Sequence, residues 1–126
     1  MKKCFLTQKG PKAIGPYSTA NICGGVCYMS GMIGIDPAKG ALVEGGVEEQ
    51  ARQAMQNIIT VLEEMNLSAA SILKTTVFLA DLNDFGKVNA IYAEYINGPV
   101  LPARSCVEVA ALPKGGLVEI EVIAKK

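Results

Sequence analysis

From Val47 to Met65 the apolar residues recur at helical spacing and keep to one side. Val47, Ala51, Ala54, Met55, Ile58, Ile59, Leu62 and Met65 fall on a single stripe, and Glu48, Glu49, Arg52, Gln53, Gln56, Glu63 and Glu64 lie off it. Glutamates in the first turn suit the positive end of the helix dipole. Asn66 followed by Leu67 supplies a C-terminal stop. A helix this one-sided has to lay its stripe against another apolar surface, and the rest of the chain supplies strands for it to cover.

Cys4 to Thr7 reads as a short first strand. Gly10-Pro11 and Gly15-Pro16 bracket a loop that carries Tyr17, a residue that serves either as a site group or as a lid over the core. Thr19 to Cys23 and Val26 to Ile35 read as two strands joined by a Gly24-Gly25 hairpin turn. Within the second strand, Ser30-Gly31 marks either a packing bend or a place where something approaches the backbone. Asp36-Pro37 and Lys39-Gly40 end that strand, and Ala41 to Gly46 reads as loop. Ile72 to Ala80 is β-branched and apolar, as a central strand should be. Asp81, Asn83 and Asp84 offer N-caps to a second helix, Phe85 to Tyr95, whose inner stripe is Phe85, Val88, Tyr92 and Tyr95. Asn89 borders that stripe, as a pocket hydrogen-bonder or an ordinary surface residue. Arg104 to Ala110 and Leu117 to Ala124 are the last two strands. This order predicts an α+β, split βαβ fold with one sheet and both helices on one face.

The length suits one domain spanning residues 1–126. The other sheet face remains apolar in this arrangement. Half of the residues are hydrophobic even before the 13 glycines are counted, against a usual ~45–50 % with glycine included. A homo-oligomer that buries the second face accounts for both.

Charge and composition exclude several classes of function. The 12 basic and 12 acidic residues cancel, and the lysines are scattered, which argues against a nucleic-acid surface. Cys4, Cys23, Cys27 and Cys106 lack metal-ligand spacing and there is no histidine, so the expectation is reduced, mostly buried thiols and no metal. No run resembles a signal-peptide core or a membrane helix, which points to a soluble cytoplasmic protein. Without histidine, Ser-His-Asp and Cys-His machinery is absent.

The polar chemistry left over concentrates in the last quarter. Arg104, one of two arginines, opens an apolar strand, and Glu119 lies inside another. Arg104, Cys106 and Glu108 share one strand face, and Glu119 and Glu121 share one face of what reads as the neighbouring strand. An arginine can grip a carboxylate with two parallel hydrogen bonds, and a glutamate can hold and activate a water. Together they suit hydrolysis of a small carboxylic acid. The alternative is a plain salt bridge from Arg104 to Glu119 or Glu108 at an edge or subunit interface. Cys106 has no base beside it, so filler with a usable backbone carbonyl is the better reading.

Four segments carry a resemblance: IGPYS (Ile14 to Ser18), SGMIGIDPAKG (Ser30 to Gly40), KTTVFLADLNDFGKVNAIY (Lys74 to Tyr92) and PARSCVEVAALPKGGLVEIEVIA (Pro102 to Ala124). Through them the chain resembles the RidA (YjgF) family of imine and enamine deaminases over nearly its whole length. The resemblance implies a chorismate-mutase-like homotrimer with active sites in the clefts between subunits. It implies hydrolysis of 2-imino acids such as 2-iminobutanoate and 2-iminopropanoate to 2-keto acids and ammonia, with no cofactor. Arg104 would bind the substrate carboxylate, and Glu119 would position the attacking water. The Cys106 carbonyl would help hold the water or the imine nitrogen. Gly31, in the bend with Ser30, would let the ligand approach the main chain, and Tyr17 and Asn89 would line the pocket, partly from the adjacent subunit. Two places depart from the family pattern: Met32, where many relatives carry Gln, and a short Asn97–Leu101 loop. Two other activities stay open: a non-catalytic trimer that senses small carboxylates, and an RNA-directed endoribonuclease or translation inhibitor.

Overall fold

Gly24 and Gly25 both adopt positive φ, 59° and 75°, which turns β2 (Ala20–Cys23) straight back into β3 (Val26–Met29). The computed structural model describes residues 1–126 and places nine strands around two α-helices. The remaining strands are β1 (Lys3–Phe5), β4 (Met32–Ile33), β5 (Ile35–Asp36), β6 (Ala41–Leu42), β7 (Ile72–Leu79), β8 (Ala103–Glu108) and β9 (Val118–Lys125). The helices are α1 (Val47–Glu64) and α2 (Phe85–Tyr95). The main sheet runs β1-β2-β3-β9-β7-β8, with β4 pairing β9 beyond the end of β3. Only β7 and β8 are parallel, and α2 is the crossover between them. The sheet and two helices bear out the α+β expectation.

Three local differences matter for the site. The expected strand from Val26 to Ile35 breaks into β3, β4 and β5. Ser30 turns aside to donate from Oγ to the Ser18 carbonyl at 2.7 Å. At Gly34 a Cβ would lie 2.6 Å from Gln50 Cα, so the backbone there sits directly on α1. Ala41–Leu42, expected as loop, pairs with Ile35–Asp36 in a separate two-stranded ladder. Finally, β8 and β9 are not neighbours, because β7 lies between them.

The core lies between the helices and one sheet face. Met55, Ile58, Val61 and Leu62 of α1 pack with Val77 and Leu79 of β7 and with Val118, Ile120, Val122 and Ala124 of β9. Each of these side chains larger than alanine contributes ~1.5–3 kcal/mol by leaving water. From α2, Val88, Ile91 and Tyr92 join the same cluster, and the Tyr92 hydroxyl pairs with Thr75 Oγ1 at 2.8 Å. Both helices therefore cover one face. Asn66 ends α1 as expected: at φ 60° it donates to the Glu63 carbonyl, and Leu67 N–H reaches back to the Leu62 carbonyl, a Schellman closure. No helix is long and apolar enough to cross a membrane.

The opposite face is bare. Strand pairing puts Asn21, Tyr28, Ile123, Thr76, Phe78, Val107, Glu119 and Glu121 on it, and Tyr28 and Val107 are exposed. All four cysteines are free thiols. Contrary to the expectation of mostly buried thiols, Cys4 and Cys23 are exposed. Cys4 pairs with Asn21 on the bare face, and Cys23 sits beside the Gly24-Gly25 turn.

Candidate active site

Arg104 stands on β8, the last strand of the sheet, on the side covered by α2. Its Nη1 donates to Asn89 Oδ1 at 2.5 Å. Its guanidinium lies 4.8 Å from the Tyr92 ring centroid and 5.4 Å from that of Phe85. Arginine is weakly hydrated and planar, so two aromatic faces and one amide can fix it while other N–H groups stay free. No carboxylate touches it, because the only ion pair in the chain joins Arg52 to Glu94. Within one chain, then, no salt bridge joins Arg104 to Glu108 or Glu119. Glu108 instead accepts from Leu82 N–H at 2.8 Å. Phe85, expected inside, is 39 % exposed and faces the arginine.

Glu119 points from β9 into a pocket of about 460 Å³ on the bare side of the sheet. The loop from Pro11 to Tyr17 forms one wall, Ser30 to Ile33 with Ile35 another, and Pro113 a third. At Gly31 an added Cβ would lie 2.8 Å from Glu119 Cδ, so glycine is needed there for space. Burial first, and the charge of Glu121 second, push the Glu119 carboxyl above its ordinary value of 4.5. Glu121 also lines the pocket but is exposed. A carboxyl with a raised pKa, no cation beside it and an open cavity in front is suited to taking and returning a proton. Tyr17 is 48 % exposed and lines this pocket, so it is no lid over the core. Its hydroxyl accepts from Ile14 N–H at 3.3 Å. Met32, 5 % exposed, presents a thioether wall where an amide would be polar. The pocket also takes in Lys12, Ile14, Ile33 and Pro113, which sequence reasoning passed over. The Gly-Pro brackets located their loop, but nothing in the periodicity pointed it at Glu119.

The two groups do not meet within one chain. Arg104 aligns with Thr75, and Thr75 with Val122, all on the helix-covered side. Glu119 aligns with Phe78, and Phe78 with Val107, on the bare side. Paired residues share a face, so the sheet itself separates the guanidinium from the carboxylate. Asn89 stays with Arg104, whereas Tyr17, Ser30 and Gly31 stay with Glu119. The Cys106 side chain packs against the core on the Arg104 side, and burial raises its thiol pKa although Arg104 pulls it down. A thiol held protonated and half-buried is a poor nucleophile.

These features can be set beside known proteins. Residues 7–126 match the family model described as Endoribonuclease L-PSP. The chain is 50 % identical to the rat protein named 2-iminobutanoate/2-iminopropanoate deaminase, across 98 % of this chain and 90 % of that one. The crystal structure of a Rid-family protein of Yersinia pestis superposes with a TM-score of 0.96 at 49 % identity, covering all of both chains. That of E. coli TdcF with bound serine gives 0.92 at 39 % identity, covering 98 % of each. On the length of the match and the level of identity, the chain belongs to the family of the Endoribonuclease L-PSP model, the RidA (YjgF) family.

Proposed function

We propose that residues 1–126 act as one RidA-like domain that assembles as a chorismate-mutase-like homotrimer and hydrolyses 2-imino acids. Its substrates include 2-iminobutanoate and 2-iminopropanoate, and the products are 2-keto acids and ammonia. One observation carries this reading: Arg104 and Glu119 are each held without a counter-ion on opposite faces of one sheet. A second copy laid on the bare face can bring its own arginine to this chain's Glu119. The apolar groups there, among them Tyr28, Phe78, Val107 and Ile123, give that copy something to bury. The name of the rat relative supplies the substrate class, and the serine bound to the E. coli relative is a small carboxylate of matching size.

The chemistry follows from the two groups. Arg104 of one subunit takes the substrate carboxylate in a bidentate pair. Glu119 of its neighbour accepts a proton from water as the oxygen adds to the C=N carbon. The tetrahedral adduct then receives that proton on nitrogen, and as the C–N bond breaks Glu119 takes the proton of the adduct hydroxyl, so that the carbonyl forms, ammonia leaves and the carboxyl passes its proton to the ammonia or to solvent. Only water and protons move, and no cofactor enters. An iminium carbon is already electrophilic, so orientation supplies most of the acceleration. Asn89 holds the arginine, and Tyr17 and Ser30 bound the pocket around the substrate. Gly31 opens space for it, and the Cys106 carbonyl accepts from the water or the nitrogen. The four free thiols suit a reducing compartment, and we place the protein in the cytoplasm.

The test generates 2-iminopropanoate in situ and follows ammonia and pyruvate with and without protein. Acceleration by the wild type is expected. Arg104→Ala should raise KM ~10²–10⁴-fold, since two charge-assisted hydrogen bonds of ~1.5–3 kcal/mol each are lost. Absence of acceleration by the wild type rejects the enzyme, and tight keto-acid binding alongside it marks a ligand sensor.

A further inference from the structure

Three polar residues of α1 are left without a role by the helical stripe and by the chemistry above. Gln50, Asn57 and Glu64 lie seven residues apart, so they share one line along the border of the apolar stripe. The line extends ~21 Å at 1.5 Å per residue. Each of the three holds a different wall of the Glu119 pocket. Glu64 receives the Thr7 hydroxyl on Oε1 and the Gln8 N–H on Oε2 at 2.8 Å. Thr7 Oγ1 in turn accepts from Gly10 N–H at 2.8 Å, immediately before the Pro11–Tyr17 wall. Asn57, 1 % exposed, donates from Nδ2 to the Ile35 carbonyl at 2.8 Å and to the Ile33 carbonyl at 3.3 Å. Its Oδ1 is occupied by Gln53 Nε2 at 2.9 Å, which fixes the amide's orientation. Gln50, 7 % exposed, accepts from Leu117 N–H at 2.8 Å, between Pro113 and Glu119.

We infer that Gln50, Asn57 and Glu64 are positioning residues: α1 serves as a rigid spine to which the three pocket walls are separately tied, so that the pocket keeps its shape toward the substrate. Five hydrogen bonds from these three side chains end on groups outside the helix, and each of the three residues reaches a different segment of chain. Two close contacts reinforce the ties: a Cβ at Gly10 would lie 2.9 Å from Val61, and one at Gly34 would lie 2.7 Å from the Gln50 carbonyl oxygen. Burial works against the Glu64 anion, yet the bonds from Thr7, Gln8 and Lys9, with the charge of Lys9, hold its pKa below the ordinary value. The wall that Glu64 ties contains Pro11, Ile14 and Tyr17 but neither Glu119 nor Arg104. Loosening it therefore weakens ground state and transition state alike, which appears in KM rather than kcat. The inference rests on the reading of this pocket as the place where substrate is held.

The experiment measures steady-state hydrolysis of 2-iminobutanoate by the full chain and by Glu64→Ala, Glu64→Gln, Gln50→Ala and the exposed control Glu63→Ala. The expected result is KM raised ~10-fold in Glu64→Ala with kcat within ~3-fold, and the same direction in Gln50→Ala. Glu64→Gln should recover part of the loss, because its amide oxygen still accepts from Thr7 while its Nε2 cannot accept from Gln8, and Glu63→Ala should behave as wild type. In hydrogen exchange, the Gln8 and Gly10 amides should open ~10-fold faster in Glu64→Ala while β7 and β9 keep their protection. An unchanged KM in Glu64→Ala, or a loss confined to kcat, overturns the inference. Where the wild type turns over no imine, the deaminase reading fails, and calorimetric affinity for 2-oxobutanoate decides instead. A ~10-fold weakening in Glu64→Ala keeps the spine, whereas equal affinity, or no binding by the wild type, removes it.

Discussion

A half-buried carboxyl with no cation beside it is a stability cost that a functional group can carry. Glu119 is such a group, and its pKa direction has a thermodynamic sign. The folded chain holds the proton more tightly than the unfolded chain does. Stability therefore falls as pH rises from the ordinary value of 4.5 through the raised one. Glu119→Gln removes the titration. It should melt higher than wild type at about pH 7–8, converge with it near about pH 4, and lose ~10²–10⁴-fold in activity. Thermal scans at the two pH values, set beside the imine assay, read both effects. A lower melting temperature at neutral pH would contradict the assignment of burial as the main cause. Gly31 makes a second residue-scale case. Its missing side chain leaves room for the carboxylate, with Cδ only 2.8 Å from where a Cβ would stand. Gly31→Ala should swing Glu119 aside and lower kcat ~10–100-fold with little change in melting, because a flexible side chain yields rather than the backbone.

At the scale of elements, α1 decides where the pocket walls stand. Gly34 is tightest against it, 2.6 Å from Gln50 Cα for a built Cβ, and both partners are backbone. Neither can rotate away, so Gly34→Ala should destabilise the fold by ~1–3 kcal/mol, read from denaturant midpoints at unchanged slope. This contact also marks where sequence reading stops. The stripe of α1, the Gly24-Gly25 hairpin, the Asn66 stop and the extent of α2 are written in local periodicity and turn chemistry, and they stand as read. Of the two breaks in Val26–Ile35, the one at Ser30-Gly31 is marked in the sequence, but the other is not local: Gly34 yields to a helix that begins at Val47. Strand order is not local either. β8 and β9 follow one another in sequence, but β7 pairs with both. Arg104 and Glu119 are legible as unusual charges, yet the face each occupies depends on register across three strands, which no spacing within β8 or β9 contains. Glu64 shows the same limit, since periodicity places it on the wet side while its carboxylate reaches back to Thr7 and Gln8.

At the scale of the whole molecule, the proposed trimer makes a genetic prediction. If every cleft takes Arg104 from one subunit and Glu119 from the next, two inactive variants can repair each other. Arg104→Ala and Glu119→Gln, denatured together in equal amounts and refolded, should regain ~25 % of wild-type activity, because one cleft in four then receives both intact groups. Refolded separately and then mixed, they should stay inactive until subunits exchange. No recovery after joint refolding would mean that one chain supplies both groups, against the geometry of the sheet. Placing the two charges on opposite sides of β7 has a further effect. In the proposed trimer a lone copy holds both groups and still has no complete centre, so specific activity becomes a function of protein concentration. Below the dissociation constant for assembly, turnover per subunit should fall with dilution, and a keto-acid product, gripping both halves at once, should draw the copies back together in sedimentation while competing with substrate for the clefts it fills.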